Sequence, residues 1–538
     1  MKKILTVLAF GAMMCGCCST DRNAQTNFAR INGQAAVEYL QPIRPGYEGR
    51  NPFWNKFAQK FIYAPAFDFR KIDGATQYRF TVKPAAEGAA ESWAFTSDTP
   101  TAPLSPIWND IAVGKVRLTV EALDNAGKVI GVAGEREFRR DYPFEGPYLP
   151  ARRDYRQAAV MGILFVHNMP EVQHWKTATE PDMNYSHNTY PCKIIGATIR
   201  MEVLLAKLLP QYKEEATAIA KNAAQFLIDQ SRPEGAPLAF FPPTYYKDLV
   251  ASRYDWNQGK TMMMEAISAG LGFLDLYDLT GEKKYLDHAL GIADTYLRHQ
   301  NADGSLPTKV DYKTGEPVNN ARAMLTNYMN YLQRLHRQYG VEKYADALAK
   351  AEKWMKETAL ESFDMTGQFE DVTILGLEPY ENLTNCTAAP YASYLLTKDN
   401  PSEQEIADAI DLTRLCEDQF VYWDMELNDD GIKRFNTPCV IEQYKYKTPV
   451  DNSACVVANA LLNIYLTTGS EVALAKATAL IDNVTVMQNS LNGQIPTTWD
   501  YRNTKRDRNR TYWINCSYSS ITTLLRMADL IDAGKISK

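Results

Sequence analysis

The sequence predicts a mostly α-helical protein, an (α/α)6 toroid over residues 146–538 preceded by a small β-sandwich over residues 61–145. Three observations carry this expectation. After residue 150, nearly all-apolar helices recur at a spacing of roughly 60–70 residues. All but the last are followed by a more amphipathic partner. Ahead of them the hydrophobic period is two rather than 3.6. A chain of 538 residues exceeds one ordinary core, and 45% hydrophobic with 23% charged residues is the balance of a folded globular protein. A formal net charge of -6 leaves no broad basic face, so nucleic acid is not an expected partner.

The first 18 residues, "MKKILTVLAFGAMMCGCC", join a lysine pair to an apolar run of about a dozen residues, the pattern of an export signal rather than a membrane span. Gly16 followed by Cys17 resembles a bacterial lipobox. That resemblance implies a lipid on Cys17 and a place in the bacterial cell envelope, periplasmic or on the outer-membrane surface, with the membrane touched only through the anchor. Residues 19–60 are polar and irregular and read as a linker. In "ATQYRFTV", Tyr78, Phe80 and Val82 share one side; in "KVRLTVEAL", Val116, Leu118 and Val120 do the same, and "DNAGKVIG" adds a turn and a further strand. The stretch "PAFDFRKIDGATQYRFTV" resembles part of a fibronectin type III-like module, which implies two packed sheets. The Pro-rich, basic "RRDYPFEGPYLPARRDY" connects this module to the helices.

Apolar helices begin near residues 191, 260, 320, 384, 451 and 514, and the first five have an amphipathic helix downstream. The sixth ends the chain alone, but "YRQAAVMGILFVHN" at 155–168 stands ahead of the first hairpin and can complete the last one. The repeated hairpins and the turns "QNADGSLP" and "QNSLNGQIP" that follow the partner helices resemble the six-hairpin glycosidase-like superfamily over residues 150–538. The resemblance implies a carbohydrate-active enzyme: an unsaturated-uronyl hydrolase, another glycoside hydrolase, a polysaccharide lyase or a sugar epimerase. Neither "DAGD" nor "GRGNGW", signatures of two branches of that superfamily, occurs, so the subfamily stays open.

Within hairpins the turns are short, as in "LTGEKKY" and "TTGSEVA". Between hairpins they are long and rich in aromatic and charged residues, as in "FFPPTYYKDLVASRYDWNQGK" and "FVYWDMELNDDGIKRF". All the long loops share the rim where the inner helices begin, and helix N-termini there favour anions. An anion-tolerant cleft on that rim is the expected site.

Glycoside hydrolysis needs two carboxyl groups flanking the bond. Asp255 in "SRYDWNQGK" is the first candidate, with Arg253 and Trp256 as substrate contacts; the bland alternatives are a residue just ahead of a helix or a salt bridge to Arg253. Asp451 in "PVDNSAC" is the second, although it stands where a helix cap belongs. Glu442 in "VIEQYKYK" is the third. Glu370 and Asp371 are adjacent and read as solvated. Half of the 6 histidines, His167, His174 and His187, fall in one segment without metal-ligand spacing, so no metal and no cofactor is expected. His187 with Tyr185 or Tyr190 could serve as base and acid for a lyase, and hydrogen-bonded scaffolding is the competing reading.

Cys192, Cys386, Cys455 and Cys516 all fall in the first turns of inner helices. A redox or metal role is conceivable at helix N-termini, with small buried residues as the simpler account. The stretch "DYRNTKRDRNRTYW" at 500–513 places Arg502, Arg508 and Arg510 beside Tyr512 and Trp513 on the last long loop. Arginine grips carboxylates in pairs of bonds and aromatic rings stack on sugars. The sequence therefore points to hydrolysis of an acidic glycan, with a lyase on the same substrate or a non-catalytic glycan-binding lipoprotein as alternatives. If the 500–513 stretch reads anions, Arg508→Ala or Arg510→Ala weakens binding of acidic glycans in calorimetric titration and spares neutral ones. Equal loss of both returns the stretch to solvated surface.

Overall fold

The chain enters through helix α1 (Thr20–Glu38), within the 19–60 segment expected as an irregular linker. Ile31, Ala35 and Tyr39 lie four residues apart and are at most 5% exposed, which makes a stripe that packs on the toroid helix Glu471–Met487. The computed structural model describes residues 20–54, 56–86, 90–247, 255–368, 377–425, 435–499 and 512–537, with side chains from residue 27 onward except that of Asp255.

Strands β1 (Lys60–Phe61), β2 (Gln77–Pro84), β3 (Trp93–Ser97), β4 (Gly114–Leu123) and β5 (Val129–Arg140) form one sheet in the order β1-β5-β4-β2-β3. The period of two is obeyed: Phe80, Val82, Val116, Leu118 and Val120 are buried while Lys83, Lys115 and Arg117 face water. Among the described residues of this N-terminal module a second sheet is absent, so the expected sandwich is a single curled sheet. Its buried face is covered by the loop carrying Leu104, Ile107 and Trp108, whose indole stacks on Phe138 at 6.2 Å between centroids.

This module is bolted to the toroid through buried charge. The Asp418 carboxylate accepts the backbone N–H groups of Ile62 (2.6 Å) and Tyr63 (2.8 Å). Lys60 donates to the carbonyls of Asp418 and Val421, both at 2.8 Å, and pairs with Asp141 at 3.1 Å. Glu417 accepts from the hydroxyls of Tyr39 and Tyr63 at 2.8 Å, from the Trp423 indole at 3.0 Å and from Lys476 at 2.9 Å.

The toroid follows as alternating helices. Helix α2 (Tyr155–His167) comes first, opened by an Asp154 cap that accepts from the Gln157 N–H. The hairpins are α3/α4 (Pro191–Leu208, Lys213–Gln230), α5/α6 (Ala266–Thr280, Lys283–His299), α7/α8 (Thr326–Tyr339, Ala345–Trp354), α9/α10 (Asn385–Leu396, Glu403–Phe420) and α11/α12 (Asp451–Thr468, Glu471–Met487). Helix α13 (Ile514–Asp532) ends the series; it packs against α3 on one side and takes α2 as its outer partner, which closes the ring. The long inter-hairpin connections also build rim structure, a pair β6 (Lys260–Met262) and β7 (Lys309–Asp311) and a three-stranded sheet of β8 (Val421–Tyr422), β9 (Cys439–Gln443) and β10 (Tyr446–Pro449). No helix among the described residues is long and apolar enough to cross a membrane.

Two of the repeated turns show how neighbouring hairpins are clipped together. After α6, the Gln300 amide donates to Gly304 O (3.0 Å) within its own turn and to Ala347 O (2.9 Å) on the next outer helix. After α12, Gln488 donates to Gly493 O and to Ala158 O on α2, both at 2.8 Å. Gly304 (φ +93) and Gly493 (φ +83) lie in the left-handed region, and a Cβ on either would run into a carbonyl of the next outer helix, Lys350 or Met161. The inner helices crowd as closely: a Cβ on Gly196 would lie 2.8 Å from the Ser268 carbonyl. Gly493→Ala therefore strains the backbone and opens the clip that closes the ring. The expected loss is about 1–3 kcal/mol from the backbone conformation alone, read as a lower denaturant midpoint.

Candidate active site

The N-termini of the inner helices converge on one rim, and a cavity of about 410 Å³ runs from it along the ring axis. Among the described residues ten line it, from α3, α5, α7, α11 and α13, and none of these is a carboxylate. Lys193 and Arg200 stand on one face of α3, seven residues and so about 10 Å apart along the axis. Asn327, Asn452 and Asn515 supply amides; Ser268, Ser519 and Tyr518 supply hydroxyls. Among the described residues Asn515 Oδ1 accepts no hydrogen bond, although it is shielded from bulk water. The polar lining follows from local sequence: "NCSYSSITT" gives α13 a hydroxyl-rich face in place of the aliphatic one that an inner helix otherwise presents.

The mouth is aromatic. His187 stacks on Trp513 with ring centroids 4.0 Å apart and planes at 28°, and Tyr190 lies 5.5 Å from the same indole. The Lys193 ammonium is 5.5 Å from the Tyr190 centroid and 5.8 Å from that of Trp513. Burial, helped by the Lys193 charge, pushes the His187 imidazole down to about 4, so the ring is neutral at ordinary pH. Lys193 also pairs with Glu265 at 3.3 Å. Neither Lys193, Arg200 nor Glu265 stands out by motif. Their available signal is two cations at i and i+7 in the otherwise uncharged stretch 191–201 of α3.

Other expected site residues take different places. Tyr512 is 1% exposed and packs edge-on against Phe165 at 5.3 Å, so it belongs to the core and not to a sugar-binding surface. Trp513, the next residue, points the other way and is half-buried at the mouth. The Tyr185 hydroxyl donates to Tyr512 O (2.7 Å) and accepts from Ile514 N–H (3.3 Å), a rivet at the ring junction. His167 is buried against Glu202 at 2.8 Å and His174 bonds the Glu180 carbonyl, both as scaffold. Trp256 is half-buried in a turn (Asp255–Asn257) that packs on β6. Cys17, Arg253, Glu370, Asp371, Arg502, Arg508, Arg510 and the Asp255 side chain lie outside the described residues.

Structures of several carbohydrate-processing enzymes resemble this chain. A family 76 glycoside hydrolase from a bovine Bacteroides thetaiotaomicron strain is 11% identical, with a TM-score of 0.44 over 84% of this chain and 93% of its own. A cellobiose 2-epimerase from Spirochaeta thermophila is 12% identical, with a TM-score of 0.47 over 66% and 89%. An unsaturated glucuronyl hydrolase specific for heparin is 12% identical, with a TM-score of 0.44 over 71% and 98%. No family profile and no curated protein sequence matches. The toroid assignment rests on the helix ring itself.

Of the candidate carboxylates, Glu442 is half-buried on β9, where its charge is felt by Asp451, Cys386 and Cys516. Asp451 opens α11 but is fully buried. It shares a 2.8 Å hydrogen bond with Ser520 and accepts the Asn452 N–H at 2.8 Å, so it joins α11 to α13 beneath the cavity mouth. The four helix-start cysteines are free thiols, and burial pushes Cys386 and Cys455 up to about 12 and the other two well above the ordinary range. Burial thus outweighs the helix N-termini, and these residues pack the ring.

Burial also pushes the Asp451 carboxyl up from 3.8 to about 8. The folded protein then keeps a proton that the unfolded chain has lost between those values, so stability falls as pH rises through this window. Asp451→Asn keeps both hydrogen bonds and removes the titration. Its urea midpoint should fall less than that of the wild type between pH 5 and pH 9.

Proposed function

We propose that this protein is a glycoside hydrolase acting on uronic-acid-containing glycans, with the axial cavity as the sugar site. The observation that carries the reading is the cavity lining. Amides and hydroxyls match sugar hydroxyls, the His187–Trp513 stack offers a ring face at the mouth, and Lys193 and Arg200 turn cationic donors into the cavity while their partners Glu265 and Asp275 are not among the described lining residues. Behind the lining stand the two carboxylates assigned to the bond-breaking step, Glu265 at 3.3 Å from Lys193 and Glu442 near Asp451, whose neighbour Asn452 lines the cavity. Glu265 keeps Lys193 as counter-ion and takes the part of the base; Glu442, beside the buried Asp451, takes the part of the acid that protonates the leaving oxygen.

A lyase acting through His187 and Tyr190 has one observation in its favour, the neutral imidazole, which can accept a proton. Against it, His187 is only 8% exposed and lies flat on Trp513, an arrangement suited to a platform.

Incubation with saturated uronate glycans, followed by reducing-end and ultraviolet assays, separates the readings. Hydrolysis releases ends without absorbance, elimination gives both, and a pure binder gives neither. Glu442→Gln and Glu265→Gln should each lower kcat by about 10²-fold or more while circular dichroism stays unchanged. Full activity in either variant removes that residue from the mechanism.

A further inference from the structure

Deep in the cavity, Arg200 joins a lattice of ion pairs. Arg200 Nε donates to Asp275 Oδ2 (2.8 Å), Arg334 Nη1 to Asp275 Oδ1 (2.7 Å) and Arg334 Nη2 to Asp278 Oδ2 (2.9 Å). Both Asp275 oxygens are thereby occupied. Arg526, one turn beyond Thr522 on α13, bonds only amide oxygens among the described residues, those of Asn459 (2.6 Å) and Asn463. Two guanidiniums thus meet two carboxylates, and Arg526 stands apart from this lattice on its amide partners.

Arg200 alone of these arginines lines the cavity. Its side chain is 26% exposed, and the guanidinium carbon lies 4.4 Å above the Tyr518 ring. Asp275 takes the Nε hydrogen and Tyr518 fixes the plane, so a rigid, pre-set donor fork stands deep in the cavity. Rigidity matters because ordering a free arginine on a ligand costs side-chain entropy, which Asp275 and Tyr518 have already removed.

We infer that Arg200 reads the acidic group of the substrate: a terminal hexuronate enters the ring carboxylate-first, passes Lys193 and pairs with Arg200, flanked by Tyr518. The inference rests on the acidic-glycan reading and deepens it. Selection for charge then lies on the inner helices and not on the 500–513 stretch.

The test is calorimetric titration with methyl glucuronoside and methyl glucoside. Wild type should favour the acid by about tenfold or more, the scale of a charge-assisted arginine–carboxylate pair. Arg200→Gln, which can still donate to Asp275, should lose most of the acid preference, the glucuronoside weakening by about tenfold more than the glucoside. Arg200→Lys, with charge but no fork, should fall between them, and it decides the matter if the Gln variant fails to fold. An unchanged acid preference in Arg200→Gln or Arg200→Lys, or none in the wild type, overturns the inference. Arg200-dependent glucuronoside binding without cleavage of any glycan would leave the Arg200 assignment standing and sink the hydrolase reading. Cleavage of acidic glycans at full rate by Arg200→Gln would do the reverse.

Discussion

A ring of helical hairpins exists only if its last inner helix finds an outer partner from the other end of the chain. Here α13 must meet α2, and the Gln488 amide that reaches Ala158 is part of what fastens the seam. The cavity depends on this closure. Lys193 and Arg200 come from the first inner helix, Asn515 and Tyr518 from the last, and they face one another only across the completed ring. The small residues of the inner layer, Gly196 against Ser268 above all, set how tightly the ring draws in.

Much of this was legible in the sequence, for identifiable reasons. Six apolar helices with amphipathic partners leave few arrangements that bury both faces, and the repeated Gln-Asn…Gly turns mark where one hairpin hands over to the next. The module was half legible. Alternation in Phe80, Val82, Leu118 and Val120 says that one face is buried, but not what covers it; a loop around Trp108 does the work of a second sheet. Helix α1 was hidden because its stripe of Ile31, Ala35 and Tyr39 is diluted by polar residues, and its partners Glu417 and Lys476 lie hundreds of residues away.

The site was legible by region more than by residue. Residue type alone does not distinguish Tyr512 from Trp513, yet one backbone step sends the first into the core and the second to the mouth. Asp451 drew attention as a carboxylate at a helix start, but its burial against Ser520 is a tertiary fact. Lys193 and Arg200 carry no motif, because cations on an inner helix gain meaning only from what the opposite helices add to the shared space, here amides and hydroxyls among the described residues.

The union of module and toroid bears on where the chain can be divided. Cutting at residue 146, where composition changes, would strip Glu417 of both tyrosine hydroxyls and Asp418 of two backbone donors and the Lys60 ammonium. Carboxylates placed for a dry, fully bonded setting would then face water or a neighbouring molecule, beside apolar surface that the module had covered. The smallest autonomous folding unit is therefore not the ring of hairpins alone. It begins near α1, and libraries that exchange or trim the N-terminal portion should treat it as inseparable from the helical body.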